Sequence, residues 1–194
     1  VLLCKYLICA VGSLSSANIP KIKGLNTYEG KYYHTGRWPK KKVNFKNKVV
    51  AQIGTGSSGI QVAPTIAKKV KKLVIFQRTP NYSIPARNKK LTKEMINGYL
   101  KNYEKIKKLI KKTPGGHTFS FPDRSVFDFN KIERDKIFEK AWLKGSLAFR
   151  ACFADITKNL KANEKASNFI KEKILKIVKD KKIAKILTNF DHPF

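Results

Sequence analysis

The stretch VVAQIGTGSSGIQVAPTIAKKV, Val49 to Val70, decides the fold. Five mostly apolar residues, Val49 to Ile53, read as a buried strand and run into Gly54-Thr55-Gly56-Ser57-Ser58-Gly59, a G-x-G-x-x-G loop. Behind it, Ile60, Val62, Ala63, Ile66, Ala67 and Val70 recur near helical spacing, which predicts a helix opening at the glycines. Pro64 is expected about one turn inside, where proline is tolerated more easily than in mid-helix. Leu73 to Gln77 reads as the next strand, about 20 residues after the loop, and this context turns a weak pattern into a dinucleotide-binding fingerprint. Gly54 allows the tight turn, Gly56 lets a pyrophosphate approach the backbone, and Gly59 lets helix and strand pack closely. The free amides and positive dipole end of the helix then face the phosphates. Thr55, Ser57, Ser58 and Gln61 complete the residues placed around the pyrophosphate. The competing reading is a glycine-rich turn that holds no ligand.

The end of the following strand selects the cofactor. An NAD site usually places Asp or Glu there for the ribose 2'-hydroxyl, whereas this chain has Gln77-Arg78-Thr79 and no acid. A guanidinium offers several donors in a rigid fork, which suits a 2'-phosphate. Arg78 and Thr79 are therefore assigned to that phosphate and NADPH is expected over NADH. The alternative is a surface arginine at a strand end.

Outward from this unit, Tyr6 to Val11 reads as another buried strand closed by Gly12, and Ser13 to Gly24 as a connector. From about Leu91 the pattern becomes helical, with Met95, Tyr99, Leu100, Tyr103, Ile106 and Ile110 as an apolar stripe. Thr113 to Asp123 interrupts it as a long loop. Further helices are expected around Ile137 to Trp142, along Ala148, Cys152, Ile156 and Leu160, and from a cap near Asn163 through Phe169 to Val178. The order is strand, strand, helix, strand, then a block of helices, which makes the chain α/β.

Composition bounds the rest. The 194 residues are 42% hydrophobic and 11% aromatic, enough for a core. The apolar start, VLLCKYLICAVG, is much shorter than the roughly 20 residues of a membrane-spanning helix and lacks a basic leader. Cys4, Cys9 and Cys152 have no metal-ligand spacing and fit reduced thiols in a cytoplasmic protein. With 42 Lys+Arg against 13 Asp+Glu the formal charge is +29, which raises nucleic acid or anionic membrane as a partner. The lysines are spread along every segment and no nucleic-acid motif accompanies them, so a solvated surface bias is favoured. A basic nucleic-acid-binding module remains the non-enzyme alternative.

Tyr28-x-Gly30-x-x-x-His34-x-x-x-Trp38-Pro39 lies shortly before the glycine loop. It resembles the F-x-G-x-x-x-H-x-x-x-W-[PD] fingerprint of the Baeyer–Villiger flavoprotein monooxygenases, with Tyr28 in place of Phe. GTGSSGIQ, FQRTPNYSIPARN (Phe76 to Asn88) and TPGG (Thr113 to Gly116) are similar to the same family. N-oxygenating flavin monooxygenases usually carry Tyr or Phe where this chain has Trp38, so the Baeyer–Villiger branch is preferred and N- or S-oxygenation is the alternative. Read without the family, His34 is a loop histidine bonded to backbone.

The resemblance implies FAD in one Rossmann domain, NADPH in a second, and a helical subdomain inserted into the second. NADPH reduces the flavin, and one oxygen atom of O2 is inserted into a ketone to give an ester or lactone. It implies that residues 1–27 close the FAD domain, 28–90 form the first half of the NADPH domain, and 91–194 form the insert. The fold class is thus a partial, doubly wound Rossmann-type sheet with an inserted helical subdomain. Only one G-x-G-x-x-G is present, and the family's active-site Lys-Arg pair is not reached at NFDHPF. The chain reads as a fragment, without a catalytic residue of its own and with Gly30, His34 and Trp38 as fingerprint positions. It binds no metal and no specific nucleic acid in this reading, and the full-length enzyme is expected to be a monomer.

Overall fold

A computed structural model describes residues 3–194, except for the side chain of Pro114. The chain divides into two compact units, one running to Phe76 and the other from Gln77 to Phe194. In the first, strand β1 (Val49–Ile53) leads through the glycine loop into helix α1 (Ser57–Ala67), which returns to strand β2 (Lys72–Phe76). The strands are parallel, in a register that runs from Val49 opposite Lys72 to Ile53 opposite Phe76. A parallel pair needs such a crossover because its strands point the same way, and α1 packs on both.

Three sequence expectations change in this unit. Val49 to Ile53 is a strand, but it is not buried: Val49 and Ile53 are each more than half exposed, as is Phe76 of β2. The sheet has two strands among the described residues, and one helix cannot cover both faces and both edges. Pro64 is the eighth residue of α1, about two turns inside rather than one, so the helix forgoes the bond that residue 64 would give to Ile60. Tyr6 to Val11 forms no strand and is exposed throughout. No strand among the described residues pairs with it, and an extended segment has no ladder without a partner. Val1 and Leu2, which open the apolar start VLLCKYLICAVG, lie outside the described residues.

The second unit is helical. Helices α2 (Lys93–Lys101) and α3 (Tyr103–Lys112) divide the expected stripe at Asn102, and neither buries a residue. Helices α4 (Lys131–Lys144), α5 (Leu160–Ile177) and α6 (Lys181–Leu187) follow. Phe138, Trp142, Phe149, Phe153, Phe169 and Ile170 lie in the core, joined by Tyr82, Ile84 and Phe194 from its margin. The Phe138 ring meets those of Phe149, Phe153 and Phe169 at 5.7, 5.2 and 5.2 Å, within the range of favourable aromatic pairs. Glu139 and Lys173 join α4 to α5 by an ion pair.

Two helical expectations are corrected here. Ala148 to Asn159 is not an α-helix but a 3-10 turn, Ser146–Ala151, followed by bends and a turn that lead to α5 at Leu160. Its apolar residues are spaced by core contact: Cys152, Phe153 and Ile156 are all buried. The cap of α5 is Asn159, whose side chain accepts from Ala162 N at 3.1 Å. Asn163 lies inside the helix, where it is buried and bonded to Ile156 O and Phe194 O, each at 2.8 Å.

Candidate functional site

The glycine loop is built from its own strand. Gln52 interrupts the apolar run of β1, and its Nε2 donates to Gly54 O at 2.9 Å and to Gly59 O at 3.1 Å. Gly54 N donates to Phe76 O at 2.8 Å, fixing the loop to the end of β2. Gly54 has φ +94°, which other residues rarely adopt. At Gly59 a Cβ would lie 2.6 Å from Gly54 O and 3.0 Å from Gln52 Nε2. This glycine is therefore required for close approach, as the pattern implied. Gly54 and Gly56 face the opposite condition: a Cβ on either meets nothing within 4 Å.

That open space lies at the start of α1. Gly56 is the cap residue and has no side chain to satisfy the first-turn amides, and no acidic residue stands in the first turn. Ser57 and Ser58 are exposed there. The free amides carry the positive end of the helix dipole, so the loop offers an anion several N–H donors. Gln61, expected near the pyrophosphate, turns its Nε2 to Ser57 O at 2.9 Å. Thr55 is partly buried within the loop.

Arg78 and Thr79 follow β2 by two and three residues along the chain and belong to the second unit; Arg78 is exposed and Thr79 partly buried. In the upstream stretch, the Tyr28 ring folds over Gly30. His34 Nδ1 accepts from Gly36 N at 3.1 Å and opens the 3-10 turn Thr35–Arg37, which puts the proton of the neutral ring on Nε2. Trp38 lies between Tyr33 and Phe45, at 5.7 and 6.1 Å between ring centres. Gln52 was not among the expected site residues. The signal was there, as the lone polar side chain in VVAQI.

This geometry fits a bound dinucleotide: two positions open to the backbone, an uncapped helix start, and a turn that tolerates no side chain at its close-packed end. A family model described as flavin-binding monooxygenase-like matches residues 3–112. The chain is 40% identical over 186 residues to a cyclohexanone 1,2-monooxygenase of Acinetobacter, covering 94% of this chain and 34% of that protein. It is similar to a solved steroid monooxygenase bound to NADP, with 38% identity, a TM-score of 0.85, and 92% of this chain covered against 34% of the other. A solved OTEMO complex with FAD and NADP superposes with a TM-score of 0.91 at 34% identity, covering 95% of this chain and 36% of that one. The chain thus spans about a third of the length of the relatives it matches. The matched region contains both the Gly30–His34–Trp38 stretch and the glycine loop, and the chain belongs to the flavin-binding monooxygenase-like family.

Proposed function

We propose that the intact protein is an FAD- and NADPH-dependent monooxygenase that inserts one oxygen atom of O2 into a ketone, giving an ester or lactone. The observation that carries this reading is the open cradle at Gly54 and Gly56 before an uncapped helix start. Gly54 shapes the turn, and Thr55, Gly56, Ser57, Ser58 and Gly59 hold the pyrophosphate of NADPH on backbone amides. Gln61 braces Ser57 from the second turn of α1. Arg78, with Thr79, meets the 2'-phosphate, since a guanidinium fork matches it better than any acid would. NADPH supplies the hydride that reduces the flavin. Gly30, His34 and Trp38 organise the stretch before the loop, and this chain contributes no residue to the oxygen-transfer step itself.

Residues 28–90 act as the first half of the NADPH domain, 91–194 as a helical insert, and 1–27 as the end of the FAD domain. The protein works as a cytoplasmic monomer on a small ketone and reads no nucleic-acid sequence. No helix among the described residues is long and apolar enough to cross a membrane.

The test uses the intact protein with NADPH, O2 and a cyclic ketone. Lactone formation equal to NADPH consumed supports the proposal; oxidation of an amine or sulfide with no lactone from any ketone overturns it. Arg78→Ala is expected to weaken NADPH by about 10- to 100-fold, the range of a lost charge-assisted contact, and to leave NADH nearly unchanged. Equal losses for both would remove Arg78 from the site.

A further inference from the structure

The backbone that follows Arg78 is secured within the second unit. After it, Pro80 is buried and its carbonyl faces Nε2 of His192 at 3.1 Å, a contact across 112 positions of sequence. Tyr82 reinforces this grip: its hydroxyl donates to His192 O at 3.0 Å, and its ring stacks on Phe190 at 3.8 Å. The terminal segment is itself anchored to α5, because Asn163 donates to Phe194 O and accepts from Phe194 N, both at 2.8 Å. A continuous chain of contacts therefore runs from α5 through Phe194 and His192 to Pro80.

Few soft torsions separate Pro80 from Arg78. Proline fixes its own φ, and the residue before a proline is confined to extended conformations. Displacing Pro80 therefore carries Thr79 and Arg78 with it. We propose that His192 is a positioning residue for cofactor selection: by holding the Pro80 carbonyl it sets where Arg78 presents its guanidinium, and so sets the preference for NADPH over NADH. This inference rests on the reading that Arg78 meets the 2'-phosphate. A merely structural histidine would alter stability, or both cofactors alike, and leave their ratio unchanged.

The experiment measures KM and kcat with NADPH and with NADH on the intact protein carrying His192→Ala, His192→Gln, Arg78→Ala and the double variant. His192→Ala is expected to raise the KM for NADPH about fivefold, near the worth of one hydrogen bond, with kcat and the KM for NADH unchanged. His192→Gln, whose amide still offers a donor to Pro80 O, should recover most of the loss. In the Arg78→Ala background, His192→Ala should change the ratio no further. If Arg78→Ala abolishes the preference while His192→Ala leaves it intact, the positioning role is overturned and the Arg78 assignment stands. If Arg78→Ala itself leaves the preference intact, both fall. Should His192→Ala not fold, Tyr82→Phe removes only the hydroxyl bond to His192 O and is expected to shift the ratio about twofold in the same direction. An unshifted ratio there would overturn the proposal.

Discussion

Replacing Gly59 and Gly56 by alanine, one at a time, separates what the loop does for folding from what it does for a ligand. At Gly59 the new Cβ would stand 2.6 Å from Gly54 O, against the 3.4 Å at which ordinary contact begins. That oxygen is backbone and already accepts from Gln52 at 2.9 Å, so it cannot rotate aside. Overpacking of this kind costs about 1–3 kcal/mol. Exchanging a helical glycine for alanine returns about 0.5–1 kcal/mol. The net expectation for Gly59→Ala is a loss of about 1 kcal/mol, within a span of about 0–2.5, in a urea melt of the intact protein. Gly56 has φ −68° and ψ −175°, open to any residue, and no atom within 4 Å of its Cβ position. Gly56→Ala should stay within about 0.5 kcal/mol of wild type. In the proposed placement its methyl would nevertheless stand where the pyrophosphate approaches the amides, so NADPH affinity should fall at least tenfold, about 1.4 kcal/mol, in a fluorescence titration. A gain of about 0.5–1 kcal/mol for Gly59→Ala, the value without crowding, would refute the crowding argument. Unchanged NADPH binding for Gly56→Ala would refute the placement of the cofactor.

Three more outcomes are expected. Phe138→Ala empties a fully buried site between three rings and should cost about 3–5 kcal/mol in denaturant melts; a loss below 1 kcal/mol would mean the site is not a packed core. Burial pushes the Cys152 thiol up to about 12, so peptide mapping after alkylation near pH 8 should find it unmodified in native protein and modified after unfolding. The Pro193 carbonyl first, and the Pro80 carbonyl second, hold the His192 pKa above its ordinary 6.5. The folded state thus binds this proton more tightly than the unfolded chain. Its stabilisation is complete below the unfolded value and is lost as pH rises through the raised one. Melts of wild type and His192→Gln should therefore differ more near pH 6 than above about pH 8, and a gap that widens on the alkaline side would contradict the assignment.

Legibility in the sequence followed the range of the physics. β1 falls on Val49–Ile53 as the pattern placed it, and α1 opens within the glycine loop, because strand, turn and first helical turn are encoded by neighbours. Ala148 to Leu160 failed for the opposite reason. Its apolar spacing imitated a helix, yet Gly145 and Ser146 both take positive φ at its start, and the segment bends to bury Phe149, Phe153 and Ile156 separately. Asn163 looked like a cap because asparagine favours caps; only contact with Ile156 and Phe194 shows it as an interior bracket. Gln52 was passed over because a polar residue in a strand has no meaning until the loop folds back to meet it.

The sequence by itself determined the strand–glycine–helix unit and the family stretch from Tyr28 to Pro39. These are properties of residues a few positions apart, where backbone sterics and hydrogen-bonding reach suffice. Tertiary structure alone decided which glycine is crowded and which is open, and that His192 reaches Pro80 across 112 positions. Such contacts depend on where the aromatic core places distant segments, and no local periodicity carries that information.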